Sequence, residues 1–203
     1  MINEKFYELE KEKQDKIINA AIEVFSKNDY KNAVTEEIAY KAEISKGLLF
    51  YYFKNKKTLY LFLIDNIIKI IEKRIEENKI TQIKDFFDLM NYAAKIKLDL
   101  VKENPHILDF CIRSYYCSDK NIISEIKKLI VEQCNESYEK YFYNIDLSKF
   151  KDKNDLFMIY KIFIWIMDGY LHEKLMRDEE IKSSDIILEF DEIMELLKKY
   201  FYK

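Results

Sequence analysis

The sequence predicts an all-α protein, and three features of it carry that prediction. Glycine occurs twice and proline once in 203 residues, whereas strand-rich domains draw on both for the backbone angles of their many turns. Lysine, glutamate, isoleucine and leucine are abundant, a composition suited to helices joined by short polar loops. Apolar residues recur at helical spacing, first at Ile18, Ala21, Ile22 and Phe25, which fall at i, i+3, i+4 and i+7. With 49% hydrophobic and 35% charged residues, the chain has core enough for one helical body or for a small domain fused to a larger one.

Taken in order, helical periodicity begins near Glu10, and the polar residues Lys27, Asn28 and Asp29 end the first helix. Thr35 reads as the N-cap of a short second helix, with Glu36 and Glu37 complementing the dipole of its first turn and a stop near Ala42. Ser45 caps a third short helix to about Phe53, and Asn55 caps a long fourth one to roughly Glu77. Further helices are predicted at about 82–103, 105–116, 120–143, 153–177 and 185–202. Pro105 suits the first turn of its helix, where a missing N–H costs nothing. No internal repeat or low-complexity linker interrupts this order of three short helices, a connector and a larger bundle.

The most informative stretch is Thr35 to Lys56, TEEIAYKAEISKGLLFYYFKNK. Two short helices that cross steeply need a small residue at the crossing, and Ala39 is placed for it, with Ile38, Ala42, Ile44 and Leu49 forming an apolar patch on the same side. The spacing suits a helix-turn-helix that holds its second helix toward a DNA major groove, and it also fits an ordinary helical hairpin. A longer run decides between them. Residues 14–63 resemble the N-terminal domain of the tetracycline-repressor family along their whole length, through IINAAIEVF, then T-x-x-IA-x-x-A-x-ISKG, then LLFYYF-x-NK-x-x-L ending at Leu59.

The resemblance implies an N-terminal three-helix helix-turn-helix domain, residues 1–55, and a C-terminal helical bundle, residues 56–203, for effector binding and dimerisation. It implies a transcriptional regulator, a repressor on family grounds, that binds a palindromic double-stranded DNA operator as a homodimer and is released by a small-molecule effector. By resemblance, Thr35, Tyr52 and Lys56 contact phosphates, Lys56 also lying at a helix N-terminus that favours anions. Side-chain chemistry adds Lys46, which can reach guanine acceptors, Gly47, which lets the backbone approach DNA closely, and Leu48 and Tyr51, which can pack on thymine methyls or sugars. Ser45 and Lys54 complete the expected contact set, while Leu49 and Phe53 are assigned to core. Residues 41–57 hold five lysines against Glu43, a local +4 in a chain whose net charge is −3. With no Arg, Asn or Gln in the recognition helix, reading is expected to lean partly on DNA shape and apolar contacts. The sequence departs from the family where glycine is common, with Asp29 after the first helix and Glu43 in the turn; a positive φ at either costs something like 1 kcal/mol. Phe50 stands where the family usually has tyrosine, a loss that Tyr51 and Tyr52 can make good.

The C-terminal aromatics read first as core and second as an effector pocket between helices. Phe86, Tyr92, Asp109, Phe110, Arg113, Tyr138 and Trp165 form the pocket set, with His106 and His172 as further polar candidates for orienting a hydrophobic or aromatic ligand. The stretch Leu156 to Leu175 is apolar almost all round, and Gly169 within it points to a close helix approach. A four-helix dimer contact is therefore expected from the last two helices, through Phe163, Gly169, Tyr170, Phe190, Ile193 and Leu197.

Other functions fare worse. Glu103-Asn-Pro-His106 has the ExxH spacing of di-iron bundles, but Pro105 interrupts it and no second ExxH exists. No Ser/His/Asp arrangement, phosphate loop or HExxH is present, so an enzyme is not expected, nor a metal or other cofactor. The alternatives that keep the fold are an architectural DNA-binding protein and a helical small-molecule or lipid carrier without regulatory DNA binding. Cys111, Cys117 and Cys134 lack metal-ligand spacing and are expected to be buried free thiols of a reducing cytoplasm. The start MINEKFYELEKEK lacks the apolar core of a secretion signal, and the run Leu156–Met167 is too short for a bilayer and broken by Lys161. A cytoplasmic protein without a membrane partner is expected.

Overall fold

The computed structural model describes the backbone of residues 2–77 and 80–203, and all their side chains save those of Thr81 and Cys134. The described residues form ten α-helices: α1 Glu4–Tyr7, α2 Lys11–Lys27, α3 Thr35–Lys41, α4 Lys46–Phe53, α5 Lys56–Glu77, α6 Phe86–Glu103, α7 His106–Tyr115, α8 Ile123–Phe142, α9 Leu156–Met176 and α10 Ser183–Phe201. Short 3-10 turns stand at Ile80–Gln82 and Leu147–Lys149, and among the described residues no strand is present beyond a single antiparallel bridge between Phe150 and Tyr202. No helix among the described residues is long and apolar enough to cross a membrane.

The sequence places nine of these helices and omits α1. Asn3 caps α1 by accepting from the Lys5 amide at 3.1 Å, and the helix buries Phe6 completely. Two other expectations at helix starts need correction. Thr35 is the first helical residue of α3 and not its cap; Val34 holds the cap position and provides no side-chain bond. Pro105 sits at the cap of α7 in helical backbone conformation, one residue earlier than expected. Ser45 and Asn55 cap as predicted, accepting from the amides of Leu48 at 3.1 Å and Thr58 at 2.8 Å.

The chain divides into two compact units, Met1–Asn78 with Ile96–Lys140, and Lys79–Lys95 with Tyr141–Lys203. The first packs α1 to α5 with α7, the C-terminal half of α6 and most of α8. Its core joins two aromatic groups: Phe6, Phe53 and Phe62, and Phe25, Tyr60 and Phe110. Each such buried ring contributes roughly 1.5–3 kcal/mol by leaving water. Helix α7 is fastened to α2, where Arg113 Nε donates to the Ser26 carbonyl at 2.7 Å and its Nη1 to Asp29 Oδ1 at 3.0 Å. Tyr60 on α5 meets the Ser114 hydroxyl of α7 at 2.9 Å, and burial raises the Tyr60 phenol to about 12.

The second unit is built on Phe86, Phe87, Phe142, Phe150 and Tyr202, with α9 laid on α10. Asp85 opens α6 by accepting from the amides of Phe87 and Asp88 and from Lys149 Nζ at 2.7 Å. Burial works against its charge, but Lys149 and the amides outweigh burial and hold the carboxyl below its ordinary range. The cysteine expectation is partly overturned, since Cys111 is exposed and Cys117 half-buried, both as free thiols; Cys134 lies outside the described side chains.

Candidate nucleic-acid interface

Helices α3 and α4 form the steep pair. Ile38, Ala39, Ala42, Leu49 and Phe53 are buried, as their spacing predicts, so the pair is locked against α2 from within. The turn between them is a Schellman motif: the Ile44 amide donates to the Ala39 carbonyl and the Glu43 amide to the Tyr40 carbonyl, both at 3.0 Å. Glu43 takes φ 55, so the departure from glycine falls on a position that does need the left-handed conformation. Asp29 does not; among the described residues, Lys54, at φ 64 after α4, and Asp178, at φ 54 after α9, are the other two such residues.

The far end of the recognition helix is held by α1. The Asn3 amide donates to the Tyr52 carbonyl at 2.8 Å and Asn3 Nδ2 to the Tyr51 carbonyl at 3.3 Å, which satisfies carbonyls left open at a helix C-terminus. Phe6 packs edge-on to Tyr52 and against Phe53. Lys46, Gly47 and Tyr51 remain exposed along α4, with Leu48 and Phe50 half-buried.

Not every expected contact stands on this open face. Thr35 is buried and its hydroxyl donates to Glu36 Oε2 at 3.2 Å; Tyr52 is buried beneath α1. Lys56 turns inward, donating to the carbonyls of Ala33 at 2.7 Å and Lys31 at 3.0 Å over the Tyr30 ring, and burial lowers its pKa. These three hold the α2–α3 loop and the helix pair in place in the free protein. Ser45 is exposed with its oxygen engaged in capping, and Lys54 is exposed without an ion pair among the described residues.

Folding also changes the local charge. Lys41 meets Glu23 at 3.1 Å, Lys46 meets Glu36 at 2.5 Å, and Lys57 pairs with Glu125. Hydrogen bonds from Lys27 and Lys41 hold Glu23 down to about 2. Three carboxylates from α2, α3 and α8 thus offset most of the excess positive charge of residues 41–57.

The predicted effector residues are distributed over both units. In the first, Phe110 is fully buried between Phe25 and Tyr60, Arg113 is engaged on α2, Asp109 is exposed and Tyr138 half-buried. In the second, Phe86 is core, Tyr92 is half-buried, and Trp165 is exposed beneath the Lys161 ammonium at 4.7 Å. Phe86 and Phe110 thus follow the core reading of the aromatics, whereas Arg113 has a structural role that spacing alone does not reveal. The first unit has an open polar cleft of about 380 Å³ lined by Lys16, Asn19, Glu23, Lys41, Asn104 and His106 among others. It is not an aromatic pocket, and the ExxH pair beside it is otherwise engaged, Glu103 by Arg74 and His106 by Ser26.

The residues expected at a dimer contact differ in exposure. Phe163, Phe190, Ile193 and Leu197 are buried inside the second unit, where Phe163 and Phe190 stack edge to face at 5.3 Å. Apolar side chains left exposed include Phe157, Met158, Ile164, Trp165, Ile166, Leu175 and Met176 of α9 with Leu188 and Leu196 of α10. Gly169 is exposed and Tyr170 half-buried.

A short helix presented by its first turn, capped, wedged on a small-residue crossing and braced from behind defines a helix-turn-helix DNA-binding protein. Residues 17–62 match the family of bacterial regulatory proteins called the tetR family. The transcriptional regulator QacR of Staphylococcus aureus (strain Mu50 / ATCC 700699) is 30% identical over 175 residues, 83% of this chain and 90% of that protein. The chain belongs to the tetR family of transcriptional regulators. Its fold is shared by Bacillus subtilis FadR in complex with stearoyl-CoA, at TM-score 0.66 and 19% identity over 90% of this chain and 96% of that one. It is shared too by SmeT in complex with triclosan, at TM-score 0.72 and 12% identity over 95% and 93%.

Proposed function

We propose that the protein is a homodimeric repressor, held on a palindromic operator by two copies of α4 and released by a small hydrophobic or aromatic effector. The observation that carries the reading is the placement of its two glycines. Neither has a positive φ. A Cβ at Gly47 would meet only Ser45 Oγ at 3.8 Å, and one at Gly169 would meet nothing within 4 Å. A helical glycine costs roughly 1 kcal/mol against alanine, and nothing inside the protomer requires either one. What requires them lies outside the chain. Gly47 lies in the first turn of the recognition helix, where DNA would approach closely. On α9, Gly169 shares a face with Met158, Trp165 and Met176, at successive spacings of seven, four and seven residues. An exposed apolar face of this kind suits a second copy of the chain.

Supporting the effector reading, FadR and SmeT have been solved with stearoyl-CoA, which carries a long acyl chain, and with triclosan, an aromatic ligand. The first unit offers a route for the response. Helix α5 is tied to α7 by Tyr60 and to α8 by Lys57–Glu125 and by Lys140–Glu76 at 2.5 Å. A shift of α8 on effector binding would move α5 and the helix pair it carries. Half-sites lie about 34–36 Å apart, or multiples of that, so a displacement of a few Å breaks register.

The test is a gel shift on DNA from upstream of the protein's own gene, with Lys46→Ala and Gly47→Ala beside the wild type. Retardation is expected for the wild type, with affinity down about tenfold or more in each variant. Gly47→Ala should melt no lower than wild type. No retardation at low salt, or wild-type affinity in Gly47→Ala, would overturn the reading.

A further inference from the structure

Lys46 does not stand free at the tip of the recognition helix. Its Nζ donates to Glu36 Oε1 at 2.5 Å, with both side chains about half exposed. The pair is held on both sides: the Thr35 hydroxyl engages the other oxygen of Glu36, and Ser45 caps the turn from which Lys46 projects. The other two carboxylates paired with lysines of this segment, Glu23 and Glu125, hold Lys41 of α3 and Lys57 of α5. Glu36 is thus the one acidic group bonded to the recognition helix's own reading end, where the first residues of such a helix meet base edges.

A carboxylate in that place has two consequences. Toward phosphates it is repulsive, and while it neutralises Lys46 that lysine releases no counterions, so binding to arbitrary DNA is weakened. Toward base edges it suits one kind of pair. Guanine presents O6 and N7 side by side as acceptors for lysine, and the cytosine N4 amino group beside O6 is a donor to glutamate. An A·T pair also presents two acceptors, adenine N7 and thymine O4, but the adenine N6 donor stands between them, so lysine meets no adjacent pair of acceptors with a donor beside it for glutamate.

We propose that Glu36 and Lys46 act as one reading unit for a single G·C pair in each half-site, Glu36 being the specificity-determining residue that suppresses binding elsewhere. The proposal rests on the DNA-binding reading above. It extends the expectation that Lys46 reaches guanine acceptors into one polar contact that spans both helices of the pair.

The experiment uses the full-length protein and its Glu36→Gln and Lys46→Gln variants, with thermal melts to verify folding. Each is put through selection on duplexes randomised over two half-sites, and its affinity for sheared genomic DNA is measured across a salt series. The wild type is expected to demand G·C at one position per half-site, and Glu36→Gln to relax that demand about tenfold while leaving the other positions unchanged. On sheared DNA, Glu36→Gln should bind more tightly, with a salt slope steeper by about one per subunit. Lys46→Gln should lose the same position without that steeper slope. An unchanged preference in Glu36→Gln, or a uniform loss over all positions, overturns the proposal and leaves the DNA-binding reading intact. If the wild type neither selects a sequence nor binds sheared DNA at low salt, both fall together.

Discussion

Helices α4 and α9 carry the chain's two glycines, and apolar and aromatic residues dominate both. The fold treats them differently. Helix α4 is gripped on three sides, by the α3 crossing, by α5 and by α1, so that Leu49, Tyr52 and Phe53 are sealed and a narrow strip remains open. Helix α9 buries only Ile159 and Phe163 within its protomer and leaves Phe157, Met158, Ile164, Trp165 and Ile166 exposed. The composition of each open strip indicates what covers it. Lysine, glycine and tyrosine suit a polyanion that must come close, whereas tryptophan and methionine around a glycine suit another protein's apolar face. An apolar helix is therefore not evidence of core; the chemistry of its uncovered side is what separates these two roles.

The comparison breaks most sharply at Trp165. Trp165→Glu replaces the apolar ring at the centre of the proposed subunit contact with a charged group, and the dimer dissociation constant is expected to rise about a hundredfold or more. Sedimentation across a concentration series measures this, and operator affinity should fall with it. An unchanged dimer would mean that the outer face of α9 is not the contact.

A smaller effect tests how firmly the first unit braces α4. The Tyr60 phenol is raised to about 12 from an ordinary value near 10 by burial, which outweighs the lowering effect of its hydrogen bond with Ser114. A raised pKa in the folded state means the unfolded chain ionises first. Its contribution is fully present below about pH 10 and is lost as pH climbs from there toward 12. The loss amounts to on the order of 2 kcal/mol. Denaturant melts between pH 9 and 12 should show a fall that Tyr60→Phe lessens.

The smallest effect lies in the turn before α4. Glu43→Gly removes the left-handed strain of φ 55 and is expected to stabilise the protein by about 1 kcal/mol. Its ion pair with Lys16 is well exposed and offsets little of that. Lower stability in this variant would show that the ion pair, and not the strain, dominates the site.

Much of this was legible in the sequence, because the signals were local. The spans of α2 to α5, the caps at Ser45 and Asn55, the small residue at the α3–α4 crossing and the family run over residues 14–63 each depend on a few neighbouring residues. Helix α1 escaped notice because four residues show no period, although Asn3 before Glu4 and the lone Phe6 carried a faint capping signal. The positive φ at Glu43 was foreseen as a possibility because the turn demanded it, and Asp29 showed that a position where the family often has glycine need not.

What the tertiary structure decided was partnership. Periodicity marked the apolar stripes of α9 and α10 but could not say which side of each met the other, so Phe163, Phe190, Ile193 and Leu197 turned out to be core and their outward neighbours the open face. The lysine count of residues 41–57 was correct, yet Glu23, Glu36 and Glu125 came from other helices to pair with Lys41, Lys46 and Lys57. Helix formation is governed by hydrogen bonds and side-chain spacing within a turn or two of chain, so the sequence determines it directly. Burial and ion pairing depend on which distant segments share a surface, and only the folded chain brings those together.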